Sequence, residues 1–140
     1  MQGNRGTTQE VVQLLSDARV GAALPCQDYE RAKTWYKEKA GFSPSEESPE
    51  GAYYACAEGT QFFLFPSSGK ASGDHTQVAF DVKDVRAEVA ELKKAGITFE
   101  EYDFPGLKTV DGVADMGDGR GAWFKDSEGN LIAIFEGTTA

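Results

Sequence analysis

The sequence has one histidine, His75, and two cysteines, Cys26 and Cys56. A single histidine excludes a metal centre built on histidine pairs. Two cysteines without paired spacing exclude a cysteine-based zinc site and a disulfide framework, so both read as reduced thiols. Basic residues are scarce as well: 14 Lys and Arg stand against 23 Asp and Glu, a net charge of −9. Binding a phosphate backbone needs clustered cations, so no nucleic-acid partner is expected. No apolar run approaches the ~20 residues that span a bilayer, so no membrane partner is expected. Residues 1–8 are polar and carry neither the basic nor the apolar region of a secretory leader, and the expected compartment is the cytoplasm.

What the chain does have is enough apolar sequence for a core and one structural unit written twice. A small apolar run, 20–24, leads to Asp28, then to a helical stretch 29–39 closed by Gly41-Phe42. Later, 77–82 leads to Asp84, then to a helical stretch 85–94 closed by Gly96-Ile97. Asp before a periodic apolar stretch is an N-cap signal, and Gly after it is a C-cap signal. Each copy ends alike, with Glu58-Gly59 before the apolar run 61–65 and Glu128-Gly129 before 131–135. The copies are offset by 56 residues at the Asp positions (28 to 84) and by 70 at the Glu-Gly turns (58 to 128). The second copy therefore holds an insertion, placed in the Gly- and Asp-rich stretch 104–120 and read as a long loop, either a lid or a solvated flap. Each copy reads as strand, helix and three strands. The expected organisation is an N-terminal extension 1–16, a first βαβββ module 17–68, a linker 69–74 and a second module 75–137, in one α+β domain. Residues 1–6 read as disordered, and 10–15 as a short helix or strand.

The strings Leu24-Pro25-Cys26-Gln27-Asp28-Tyr29 with Trp35-Tyr36, then Gln77 to Val82 with Asp84-Val85, then Trp123 to Asn130, carry a family resemblance through their order and duplication. The chain resembles the vicinal oxygen chelate superfamily of glyoxalases, bleomycin-resistance proteins and extradiol dioxygenases. The resemblance implies two βαβββ modules whose curled mixed sheets surround a cleft. It also implies homodimers, paired side by side or by swapping. The enzymes of that family place metal ligands on the first and last strand of each module. Those positions map to Gly21, Phe63, Gln77 and Ala133 here. Three of the four have no donor atom, so no metal and no cofactor are expected.

Several residues are candidates for the site. Gln77 is polar among apolar neighbours at a cleft position, where its amide would bind either a ligand or a neighbouring strand. Phe63, Phe65, Tyr54, Trp123 and Phe135 are the aromatic residues from which a cleft wall would be built, although strand alternation must send some of them into the core. His75 is a weak catalytic candidate two residues before Gln77. Cys26 is another, just before a helix N-terminus, where a thiol can be activated. The resulting expectation is a metal-independent binding protein for an aromatic or cationic small molecule. The alternatives are a metal-free isomerase, lyase or cyclase and, behind it, a metal-dependent glyoxalase- or dioxygenase-like enzyme.

Overall fold

Two short helices begin and end where the caps require. The computed structural model describes residues 14–137. Helix α1 spans Tyr29–Ala40, and the Asp28 carboxylate accepts the Arg31 backbone N–H at 3.0 Å. It stops at Gly41, whose φ of 75° is the left-handed turn that a glycine takes without strain. Helix α2 spans Val85–Lys94, with the Asp84 carboxylate accepting from Ala87 N at 3.1 Å. Each such cap contributes about 1 kcal/mol. The stretch expected at 10–15 lies largely outside the described residues, and Leu15–Asp17 forms a single 3-10 turn. No helix of the described residues is long and apolar enough to cross a membrane.

The strands form two mixed sheets. The first contains β1 (Ala22–Cys26), β2 (Glu46–Ser48), β3 (Gly51–Ala55) and β4 (Gln61–Pro66), in the order β1-β4-β3-β2. The second contains β5 (Thr76–Asp81), β6 (Asp103–Phe104), β7 (Leu107–Val110), β8 (Val113–Asp115), β9 (Arg120–Lys125) and β10 (Leu131–Phe135), in the order β5-β10-β9-β8-β7-β6. In both sheets the first strand pairs parallel with the last, Ala23 opposite Phe63 and Ala79 opposite Ala133. The duplication seen in the sequence is thus a duplication of topology.

The inserted stretch 104–120 departs from its expectation as a loop. Most of it is paired: β6, β7 and β8 extend the second sheet to six strands, with Thr109 buried opposite Ala114. Its Gly and Asp residues hid the short strands Leu107–Val110 and Val113–Asp115 between them.

One face of each sheet and both helices share a single core. Leu24, Tyr36, Tyr54 and Phe62 come from the first copy, and Val85, Phe124, Ile132 and Ile134 from the second. A polar clamp crosses between the copies beside it. Arg31 Nε and Nη2 donate to the two carboxylate oxygens of Glu128 at 2.9 and 3.0 Å. Gln27 N and Asp28 N both donate to Glu128 Oε1 at 3.1 Å. Asn130 Nδ2 reaches the Pro25 carbonyl at 3.0 Å. The turn between β9 and β10 is therefore the lock that holds α1 and β1 against the second copy.

Candidate functional site

The opposite faces of the sheets carry the candidate site. In β4, Phe62 and Leu64 point into the core, so Phe63 and Phe65 point the other way. Tyr53 of β3 joins them. Its ring lies 4.5 Å from that of Phe63, which stacks at 6.1 Å and 12° on Phe65. Gly51 makes room for this wall. Its φ is 147°, and a side chain there would meet the Phe63 ring at 2.8 Å and the Leu64 carbonyl.

Beside this wall runs a groove of about 1050 Å³, lined by Val20 to Ala23, Tyr53, Gln61, Phe63 and Gln77 to Ala79. Strands β1 and β5 flank it. Its small residues Gly21, Ala22, Ala23 and Ala79 leave the width open. The groove continues over Cys56, Glu58, Phe80 and Asp81 as a further cleft of about 440 Å³. This is enough space for a small organic molecule.

Gln77 occupies a break in the ladder. Thr76 pairs with Leu131 and Val78 with Ile132, so Gln77 is the extra residue of a β-bulge. Bulges re-aim side chains near functional sites. The Gln77 carboxamide makes no hydrogen bond to any described residue, leaving a donor and an acceptor on the groove wall.

The structure divides the aromatic residues grouped from the sequence. Phe63 lines the groove, and Phe65 supports it from the same face. Tyr54 does not belong to the wall. It is fully buried in the core, 4.8 Å from Phe62 and 5.8 Å from Tyr36, and its neighbour Tyr53 takes the wall position. Trp123 and Phe135 are on the face of the second sheet away from the main core. They pack at 5.6 Å in a separate cluster with Tyr102, Leu131 and Ala133, outside the groove lining. Tyr53 and Gln61 are groove residues that sequence reasoning missed. Only the strand register separates Tyr53 from Tyr54.

The weak catalytic candidates fare differently. His75 is exposed on the approach to β5 and does not line the groove. Cys26 is a correction: it is buried at the end of β1, donates its S–H to the Phe65 carbonyl at 3.3 Å and has no access to the groove. Burial, with Glu128, Asp126 and Asp28 nearby, pushes its thiol up to about 11, the opposite of an activated nucleophile. Glu47, on β2, is a committed carboxylate as well. Glu47 accepts from Tyr29 Oη and Lys33 Nζ, both at 2.8 Å, and these donors hold it below the usual carboxylate range.

The four ligand positions implied by the resemblance do not fit a metal ion. Gly21, Phe63 and Ala133 offer no side-chain donor, and Gln77 offers one neutral oxygen. No group of three His, Cys, Asp or Glu residues comes together among the described residues.

Comparison with known proteins agrees with this architecture. The chain is 28% identical over 126 residues to the uncharacterised protein YurT of Bacillus subtilis, covering 79% of this chain and 91% of that one. Among solved structures it resembles TnmS3, an antibiotic-binding protein from Streptomyces sp. CB03234, at 21% identity and a TM-score of 0.59, over 86% of this chain and 98% of that one. It also resembles a lactoylglutathione lyase from Agrobacterium tumefaciens at 21% identity and a TM-score of 0.57, over 86% and 93% of the two chains. At these identities the structural likeness concerns the fold alone. The family model for the Glyoxalase/Bleomycin resistance protein/Dioxygenase superfamily matches residues 19–134, and the chain belongs to that superfamily.

Proposed function

We propose that this protein is a metal-independent small-molecule binder that holds an aromatic or cationic compound in the groove between β1 and β5. The observation that carries this reading is the chemistry of the groove wall. It pairs the neighbouring rings of Tyr53 and Phe63, 4.5 Å apart and tilted by 36°, with the uncommitted amide of Gln77, beside metal positions that hold no anionic or imidazole donor. Aromatic faces supply contact area, and one polar group fixes orientation. The acidic surface favours cations by steering them toward the protein. TnmS3, similar in fold, is an antibiotic-binding protein, and sequestration by binding is what this groove supports. The reading includes a homodimer, for which light scattering at several concentrations is the check.

Thermal-shift titration tests the proposal. The purified protein is melted with Ni²⁺, Zn²⁺, Mn²⁺ and Fe²⁺, and separately with a panel of planar aromatic cations and their neutral analogues. A ligand that binds the folded state raises the melting temperature, and at 100 times Kd the added stability is about 2.7 kcal/mol. The expected result is no metal response and a rise with members of the aromatic panel that Phe63→Ala abolishes. Tight stoichiometric metal binding overturns the proposal.

A further inference from the structure

The helix side of the molecule carries a second cavity, open at its mouth, which shares only Phe80 with the cleft that continues the groove. It has a volume of about 160 Å³ and lies among Trp35, Phe42, Phe80, Phe124, Leu92 and Glu88. A cavity of about 150 Å³ lined by apolar side chains suffices for a benzene ring. Its rings form a connected cage: Trp35 lies 6.3 Å from Phe124 at 29°, and Phe42 lies 6.1 Å from Phe80. Trp35 belongs to α1, Leu92 and Glu88 to α2, Phe80 to β5 and Phe124 to β9, so the cage exists only when both copies are in place.

The polar groups around the cage point to the charge of its occupant. Tyr36, also in the lining, has its hydroxyl committed to Asp126. Lys39, which ties the two helices, has its ammonium on the Ala95 carbonyl at 2.9 Å. The Glu88 carboxylate makes no hydrogen bond or ion pair with any described residue. A single uncommitted carboxylate beside several aromatic faces attracts a cation through both the charge and the ring quadrupoles.

We propose that this cavity binds a small organic ammonium ion carrying one ring, about the size of benzylamine. The ring lies among Trp35, Phe42, Phe80 and Phe124, and the ammonium meets Glu88. This assignment is independent of the groove between β1 and β5.

The two tryptophans allow the test, because Trp35 lines this cavity and Trp123 does not. The full chain is made as Trp123→Phe, which leaves Trp35 as the reporter, and as Trp35→Phe, which leaves Trp123. Each is titrated at pH 7 with benzylammonium and with its neutral counterpart, benzyl alcohol. A saturable change in Trp35 emission is expected with benzylammonium, and binding of the alcohol is expected to be at least about tenfold weaker. Adding Glu88→Gln, an exposed change, removes most of that preference. Adding Leu92→Phe fills the cavity and removes binding of both probes without altering charge. The proposal is overturned by any of four results: no saturable Trp35 response up to the solubility limit, equal affinity for the two probes, a preference that survives Glu88→Gln, or binding that survives Leu92→Phe. A response seen only from Trp123 also overturns it.

Discussion

Tyr36 Oη donates a hydrogen bond of 2.6 Å to Asp126 Oδ2, joining helix α1 to the turn between β9 and β10 across 90 residues of sequence. The other Asp126 oxygen accepts Glu128 N and Asn130 N at 2.8 and 2.9 Å, and Asn130 Nδ2 adds a bond of 2.8 Å to Oδ2. Asp126 is thus a buried carboxylate held by four donors, three from its own turn and one from the other copy. Tyr36→Phe removes that one donor and keeps the ring against Trp35 at 4.9 Å and Phe62 at 5.5 Å. The expected loss is about 1–2 kcal/mol. It should appear as a lower urea midpoint with an unchanged slope. An unchanged midpoint shows that the bond carries no net stability.

Glu128 makes the same junction sensitive to acid. Its side chain is 1% exposed, and the bonds from Arg31 hold its carboxyl down at about 2 against an ordinary value of 4.5. The folded value lies below the unfolded one. The carboxylate therefore stabilises the fold above about pH 4.5, and that contribution is lost as the pH falls toward 2. Glu128→Gln should be less stable than the parent chain at pH 7, and the gap should narrow at pH 3. Urea unfolding at the two pH values measures it. A gap of constant size shows that the titration of Glu128 is not the cause.

Much of this was legible in the sequence because local chemistry repeats. Asp28 and Asp84 were readable as caps since a carboxylate before a periodic apolar stretch has few other uses. The paired Asp and Glu-Gly offsets are the sequence trace of the duplicated topology. What stayed hidden depended on register and on long-range contacts. Tyr53 and Tyr54 are adjacent and chemically alike, and only the pairing of Tyr53 with Phe63 sends one to the groove and the other to the core. The place of Cys26 before a helix makes it only a weak candidate nucleophile, and the distant Phe65 carbonyl and Glu128 carboxylate, invisible in the sequence, count against that role. The bulge at Gln77 leaves no mark in sequence, because it arises where Leu131 and Ile132 meet β5.

The two thiols should differ in reactivity. Cys26 is 1% exposed, whereas Cys56 is partly exposed at the edge of the cleft that continues the groove. Burial raises both, Cys26 to about 11. A thiol-disulfide reagent at pH 8 should therefore modify one cysteine slowly in the folded chain and two after denaturation. Cys56→Ser should leave no reactive thiol in the folded state. Rapid modification of Cys26 in that variant would show that β1 opens far more readily than its packing implies.

The division of the aromatic residues into core and wall gives the sharpest contrast. Tyr54 is fully buried, and Tyr54→Ala empties a site shared with Tyr36, Phe42 and Phe62. Large-to-small changes at such sites cost about 3–5 kcal/mol through lost burial and the cavity left behind. Phe63 is only partly buried, its ring lying against Tyr53 and Phe65 beside open space. Phe63→Ala should cost about 1–2 kcal/mol, since less apolar surface returns to water. Binding should rank the two variants in the opposite order. Phe63→Ala removes a groove ring and should abolish the response to aromatic ligands. Tyr54→Ala, measured at a temperature where it remains folded, should retain it. Chemical denaturation and ligand titration on the same two preparations give both numbers. A Tyr54→Ala protein that folds normally but no longer binds would move the site to the core face of β3, and the assignment of the groove would fall with it.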